Sequence, residues 1–186
     1  MKRIVILASG SGTLAQAIFD AQLEADIVAV ISDQPDAAVL DRAHKARIET
    51  FTIPMLPDRT EWDRELETLI AALKPDLVVS AGFMRILSER ITSKFKIINS
   101  HPALLPLYPG AHAVRDALAA GATETGTTIH WVDAGVDTGK VIAQERVEIL
   151  PGDTEESLHE RIKIVERGLI VATIAELLPT LEKING

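Results

Sequence analysis

The chain has 186 residues, a net charge of −8, 47% hydrophobic and 25% charged residues. That is the size and balance of one globular α/β domain, and it argues against a nucleic-acid or anionic-membrane surface, both of which need clustered Lys and Arg. There is no cysteine, so disulfides, thiolate nucleophiles and cysteine-ligated metals are excluded. The five histidines, His44, His101, His112, His130 and His159, show no tight metal-ligand spacing. The apolar run after Met1-Lys2-Arg3 is too short for a signal peptide, and a cytoplasmic location is expected.

Residues 3–8 form a continuous β-branched run ending at Ser9-Gly10-Ser11-Gly12. Such a run predicts a strand buried on both faces of a parallel sheet. A helix over 13–24 follows, with Leu14 and Ile18 on one face, then a strand over 27–32, a helix over 36–46 and a strand over 48–53. Thr60, with Asp63 three residues on, is the expected N-cap of a helix running to Leu73. Lys74-Pro75-Asp76 stops it, and 77–83 reads as the fourth strand. This alternation predicts an open, mainly parallel, Rossmann-like sheet with helices on both faces.

The second half reads differently. A strand over 96–100 meets His101-Pro102 at once, and the proline-containing stretch 103–111 reads as an ordered loop before a short helix over 112–120. Strands over 126–132 and 140–149 flank a Gly/Asp turn at 133–139. Asp153 with Glu156 is expected to cap a last helix over 154–178. With no linker or repeat, the expectation is one domain over 1–186, with a phosphate-binding half to residue 100 and a catalytic half after it.

Two places carry chemistry. Gly10-Ser11-Gly12-Thr13-Leu14-Ala15 fits G-x-G-x-x-A between a strand and a helix, where backbone amides and the helix N-terminus favour a phosphate. Taken literally it is a dinucleotide site, with Asp33 on a ribose hydroxyl; the same glycines also suit a tight βα turn with no ligand. Asn99 and His101 stand at i and i+2 at the C-terminal end of a strand, so their side chains address one point. An amide donor beside an imidazole suits a carbonyl oxygen that becomes an oxyanion. A nearby carboxylate would favour the imidazolium, and the 133–139 turn offers both Asp133 and Asp137 without choosing between them.

In order along the chain stand SGSG (9–12), AGFMRIL (81–87), INSHPALLP (98–106), YPGAH (108–112), GTTIHWV (126–132) and VDTGKVI (136–142). Together they resemble the folate-dependent formyltransferases, and among these the phosphoribosylglycinamide branch. Methionyl-tRNA formyltransferase and formyltetrahydrofolate deformylase belong to the same group but are expected to carry further domains. The resemblance implies 10-formyltetrahydrofolate as cosubstrate, glycinamide ribonucleotide as acceptor, no metal, and a monomer or homodimer. It makes Asn99, His101 and Asp137 the catalytic set. It assigns the folate to Arg59, Met84, Arg85, Ile86, Leu87 and Asn99 and to the loop Asp133, Ala134, Gly135, Val136 and Asp137. It assigns the acceptor to Gly10, Ser11, Gly12, Thr13 and Glu166. Glu166 has support of its own, as a carboxylate sharing a helix face with Ile162 and Leu169. Thr13-Leu14 departs from the family's Ser-Asn. Hydrolysis of formyltetrahydrofolate and a nicotinamide-nucleotide module are the rival readings.

Overall fold

The computed structural model describes residues 1–182, and in it one seven-stranded sheet runs in the order β3-β2-β1-β4-β5-β6-β7. Five strands are parallel: β1 (Lys2–Leu7), β2 (Ala25–Ser32), β3 (Thr50–Thr52), β4 (Leu77–Ser80) and β5 (Ile97–His101). The strands β6 (Glu124–Trp131) and β7 (Val141–Glu148) extend it antiparallel. The helices are α1 (Thr13–Asp20), α2 (Ala38–Lys45), α3 (Arg59–Leu73), α4 (Glu89–Thr92), α5 (Ala113–Ala119) and α6 (Glu155–Leu177). Among the described residues no helix is long and apolar enough to cross a membrane.

Strand alternation sorts the central residues between two cores. Ile4 and Ile6 of β1 pack with Val30 and Val79 against Leu14 and Ile18 of α1, Val39 of α2, and Ile170 and Ile174 of α6. Val5 and Leu7 turn to the other face, with Val78, against Trp62, Leu66 and Ile70 of α3 and Ile91 of α4. Both faces are covered, which is why Ile4–Leu7 of β1 and Leu77–Val79 of β4 are apolar at consecutive positions rather than at every second one. A smaller cluster joins Val114 of α5 and Val147 of β7 to Leu158 and Ile162 of α6.

Several boundaries differ from the sequence expectation. The N-cap of α3 is Asp58, whose carboxylate accepts from the Thr60 and Glu61 amides, so Thr60 lies inside the first turn. The last helix is capped by Thr154 with Ser157, not by Asp153 with Glu156. Asp153 instead accepts from the Leu150 N–H, from Ser157 and from both terminal nitrogens of Arg161. The guanidinium holds its carboxyl far below the ordinary range. α1 ends at Asp20, and β4 ends at Ser80 rather than residue 83. That early stop matters, because it lets 82–87 leave the sheet at the carboxyl end of β4. The unexpected α4 follows, tied to α3 by Arg90 and Lys94, which both pair with Glu67.

β1 lies between β2 and β4, so the chain leaves the sheet in opposite directions on its two sides. Open α/β sheets bind ligands in the crevice that this reversal creates, beyond the carboxyl ends of the strands.

Candidate active site

A cavity of about 350 Å³ lies beyond the carboxyl end of β4 and β5, a volume suited to a drug-sized ligand. β5 delivers Asn99 and His101 to it as alternate residues, and both line it. Ser100, between them, turns to Thr127 (Oγ to Oγ1, 3.4 Å) on the face covered by α6.

The antiparallel pairing of β5 with β6 places His130 opposite Asn99. His130 Nδ1 lies 2.9 Å from the Trp131 carbonyl, and its Nε2 lies 3.2 Å from Asn99 Nδ2. Asp137 completes the group. Its backbone is in the left-handed region (φ +55), a conformation Asp and Asn adopt more readily than other non-glycine residues. That conformation turns the carboxylate back to the cavity. Oδ2 accepts from the Gly110 N–H at 2.8 Å and faces His101 Nδ1 at 3.3 Å, while Oδ1 faces His130 Nε2 at 3.5 Å. Burial pushes the Asp137 carboxyl upward, but the His130 contact, the Gly110 N–H and the charge of His101 outweigh it and hold it below the ordinary value. His101 Nε2 donates to the Tyr108 carbonyl at 2.8 Å. Both ring nitrogens of His101 thus face oxygen acceptors, an arrangement that a doubly protonated ring satisfies in full.

The choice between the two acids of the turn is made by tertiary geometry. Asp133 accepts from the Gly135 N–H at 3.0 Å and from Thr138 Oγ1 at 2.6 Å, so it shapes its own loop. Asp137 is the one that faces the histidines. Asp133, Gly135 and Val136 also line the cavity, whereas Ala134 is exposed and does not. Opposite them stand Met84, Arg85, Ile86 and Leu87. Met84 is 69% and Ile86 58% exposed, an apolar rim for a flat ring to cover. Arg59 does not line the cavity. It donates to the Ile86 carbonyl, pairs with Asp63 at 2.8 Å and lies over the Trp62 ring, so it supports the 84–87 segment from behind.

The glycine loop lies apart from this cavity, at the end of β1. Gly12 has φ +75, and a Cβ there would stand 2.6 Å from Val39 Cβ, so glycine is required for local packing alone. The Gly10 carbonyl accepts from the Val39 N–H at 3.1 Å and the Ser11 carbonyl from Arg42 Nε at 2.8 Å. In a trans peptide the following N–H points the opposite way, so the Ser11 and Gly12 amides turn away from α2. α1 begins with no side-chain cap, which leaves its first amides for a ligand. Leu14 is 7% exposed and packs in the core. Glu166 lies beyond Ser100, with Oε2 3.5 Å from Thr127 Oγ1. Burial pushes its carboxyl up despite the Ser100 and Thr127 hydrogen bonds. Lys163 pairs with Glu160 at 2.9 Å instead of with Glu166.

Asp33 is not available to a ribose. It is 3% exposed and accepts from Ser9 Oγ at 2.6 Å and Arg85 Nε at 2.7 Å, which leaves the dinucleotide reading without its acid. Among the described residues, no group of three or more His, Asp or Glu side chains comes together as a metal site. Sequence reading had assigned no role to His130. The strand register that sets it beside Asn99 was the missing signal.

The family model for formyl transferase matches residues 2–174. Phosphoribosylglycinamide formyltransferase of Mycobacterium tuberculosis is 48% identical over 182 residues, covering 94% of this chain and 84% of the relative. The enzyme of the same name from Escherichia coli is 41% identical over 180 residues, covering 92% and 85%. The crystal structure of phosphoribosylglycinamide formyltransferase from Bacillus halodurans superposes with a TM-score of 0.92 at 38% identity, covering 98% of both chains.

Proposed function

The chain belongs to the formyl transferase family, and from that premise we propose how its cavity performs the reaction. The enzyme transfers a formyl group from a folate to the amine of phosphoribosylglycinamide in purine biosynthesis. The donor is 10-formyltetrahydrofolate, its pterin held between the 84–87 segment and the 133–137 loop. The acceptor's phosphate sits on the Gly10–Thr13 amides, with Glu166 as a second acceptor contact.

The amine nitrogen attacks the formyl carbon, a C–N bond forms, and the carbonyl electron pair moves onto oxygen. Asn99 Nδ2 sits on the cavity wall 3.2 Å from His130 Nε2 and supplies an amide hydrogen for that oxyanion. His101, with its ring nitrogens facing the Tyr108 carbonyl and Asp137, supplies positive potential beside it when protonated. Collapse breaks the bond to folate N10, and the proton lost by the amine ends on that nitrogen. No side chain is acylated, so the protein's part is orientation and charge. The observation that carries this reading is the continuous chain His101–Asp137–His130–Asn99 on the cavity wall. The reaction uses small molecules only, in the cytoplasm.

The test is turnover of 10-formyltetrahydrofolate with and without glycinamide ribonucleotide. Acceptor-dependent production of tetrahydrofolate is the expected result. Formate release at the same rate without acceptor overturns the transfer reading in favour of hydrolysis.

A further inference from the structure

Asp33 is the one residue singled out by the phosphate-loop motif that formyl transfer leaves without a role. It stands just past the carboxyl end of β2, where nucleotide-binding sheets hold a ribose hydroxyl. Here its carboxylate faces inward and gathers three donors. Oδ1 accepts from Ser9 Oγ at 2.6 Å, and Oδ2 accepts from Arg85 Nε at 2.7 Å and Gln34 Nε2 at 3.1 Å. Ser9 in turn accepts from the Met84 N–H at 2.9 Å, and the Ser9 N–H donates to the Gly82 carbonyl at 3.1 Å. The segment 82–85 is therefore tied to the ends of β1 and β2 at three points, and two of them pass through the Asp33 carboxylate.

That segment needs such ties. β4 ends at Ser80, and the Ala81 N–H to the Leu7 carbonyl at 2.8 Å is its last bond to the sheet before the Ser9–Gly82 tie. Gly82 sits at φ +75, and Met84 is largely exposed. Free backbone of this kind does not hold a flat ligand at one depth unless something sets its position. The ionic arm is on one side of Met84 and the hydroxyl arm on the other, so the Met84–Arg85 peptide is held from both ends.

We infer that Asp33 is a positioning residue for the donor folate, fixing the Met84–Leu87 wall of the cavity through Arg85 and Ser9 without touching the ligand. This rests on the folate reading of the cavity given above. Burial alone raises the Asp33 carboxyl, but the hydrogen bonds from Ser9, Arg85 and Gln34 hold it below its ordinary value, so the anion persists across the working pH range. The Arg85 guanidinium is held to this anion through Nε, which fixes the course of the chain at Arg85.

The experiment measures tetrahydrofolate binding by calorimetry and steady-state kinetics for both substrates, in wild type, Asp33→Asn, Arg85→Met and the double variant. Asn keeps the shape of Asp33 but removes the charge that holds Arg85. The expected result for each single variant is about a tenfold loss of tetrahydrofolate affinity, the worth of one hydrogen bond to a charged group. The KM for formyl donor should rise in parallel in both, and in Asp33→Asn kcat at saturation and the acceptor KM should stay within about threefold of wild type. The double variant should lose no more than either single one, because both break the same tie. Wild-type tetrahydrofolate affinity in Asp33→Asn overturns the inference, including the case where its melting temperature falls. An acceptor KM raised as much as the donor KM also overturns it. If Asp33→Asn does not fold, Arg85→Met decides by the same measurements, since Arg85 is one-third exposed at its side chain. A wild-type enzyme that fails to bind tetrahydrofolate overturns the folate reading itself, a separate and recognisable outcome.

Discussion

Replacing Asp137 by Asn isolates the charge in the catalytic group. The backbone at φ +55 suits Asn as well as Asp, so the loop is not strained. The amide oxygen can still accept the Gly110 N–H that Oδ2 accepts at 2.8 Å. What disappears is a negative charge 3.3 Å from His101 Nδ1. Two unit charges at that separation attract by about 1.3 kcal/mol in water and about 5 kcal/mol at an effective dielectric of 20. The Asp137 side chain is only 13% exposed, which places the loss toward the upper figure. A loss of about 3–4 kcal/mol in the transition state corresponds to a fall in kcat of roughly 10²–10³. The assay is steady-state turnover at saturating formyl donor and acceptor, with circular dichroism and thermal unfolding to confirm an intact fold. A folded Asp137→Asn enzyme whose kcat lies within threefold of wild type refutes the claim that this carboxylate stabilises charge on His101.

Asn99→Ala removes an oxyanion donor and should lower kcat on the order of 100-fold while donor binding changes little; stopped-time turnover and tetrahydrofolate titration check both. Burial raises the Glu166 carboxyl above 4.5, so its contribution to stability is full below that pH and is lost as pH rises through the raised value. Glu166→Gln should therefore remove that loss, leaving the free enzyme at least as stable as wild type near neutrality in denaturant titration, while weakening the acceptor KM by about tenfold. Leu14→Asn, the change that matches the family pattern, buries an amide in a core position and should cost about 2–4 kcal/mol of unfolding free energy. Gly12→Ala meets both the positive φ and the Val39 side chain, and should lower the unfolding free energy in denaturant titration by about 1–3 kcal/mol and raise the acceptor KM more than the donor KM.

The sequence by itself determined the parallel half of the sheet, because unbroken apolar runs at Ile4–Leu7 and Leu77–Val79 have no other way to be buried. It also placed Asn99 and His101 on one side of a strand end, since alternation is a property of the strand alone. Both facts follow from local periodicity. Helix caps were less legible: Asp58 and Thr154 compete with equally good neighbours, and one residue of shift changes the cap. Spacing left Asp133 and Asp137 open and the family resemblance implied Asp137; the tertiary structure turns Asp137 to the histidines through a left-handed backbone at one residue and a Gly110 amide 27 positions away. It alone brought His130 to Asn99, through a strand register that no local pattern encodes. It tied the Asp33 carboxylate to Arg85 and the Arg59 guanidinium to the Ile86 carbonyl. Periodicity says which face a residue takes, and packing between distant segments decides what that face meets.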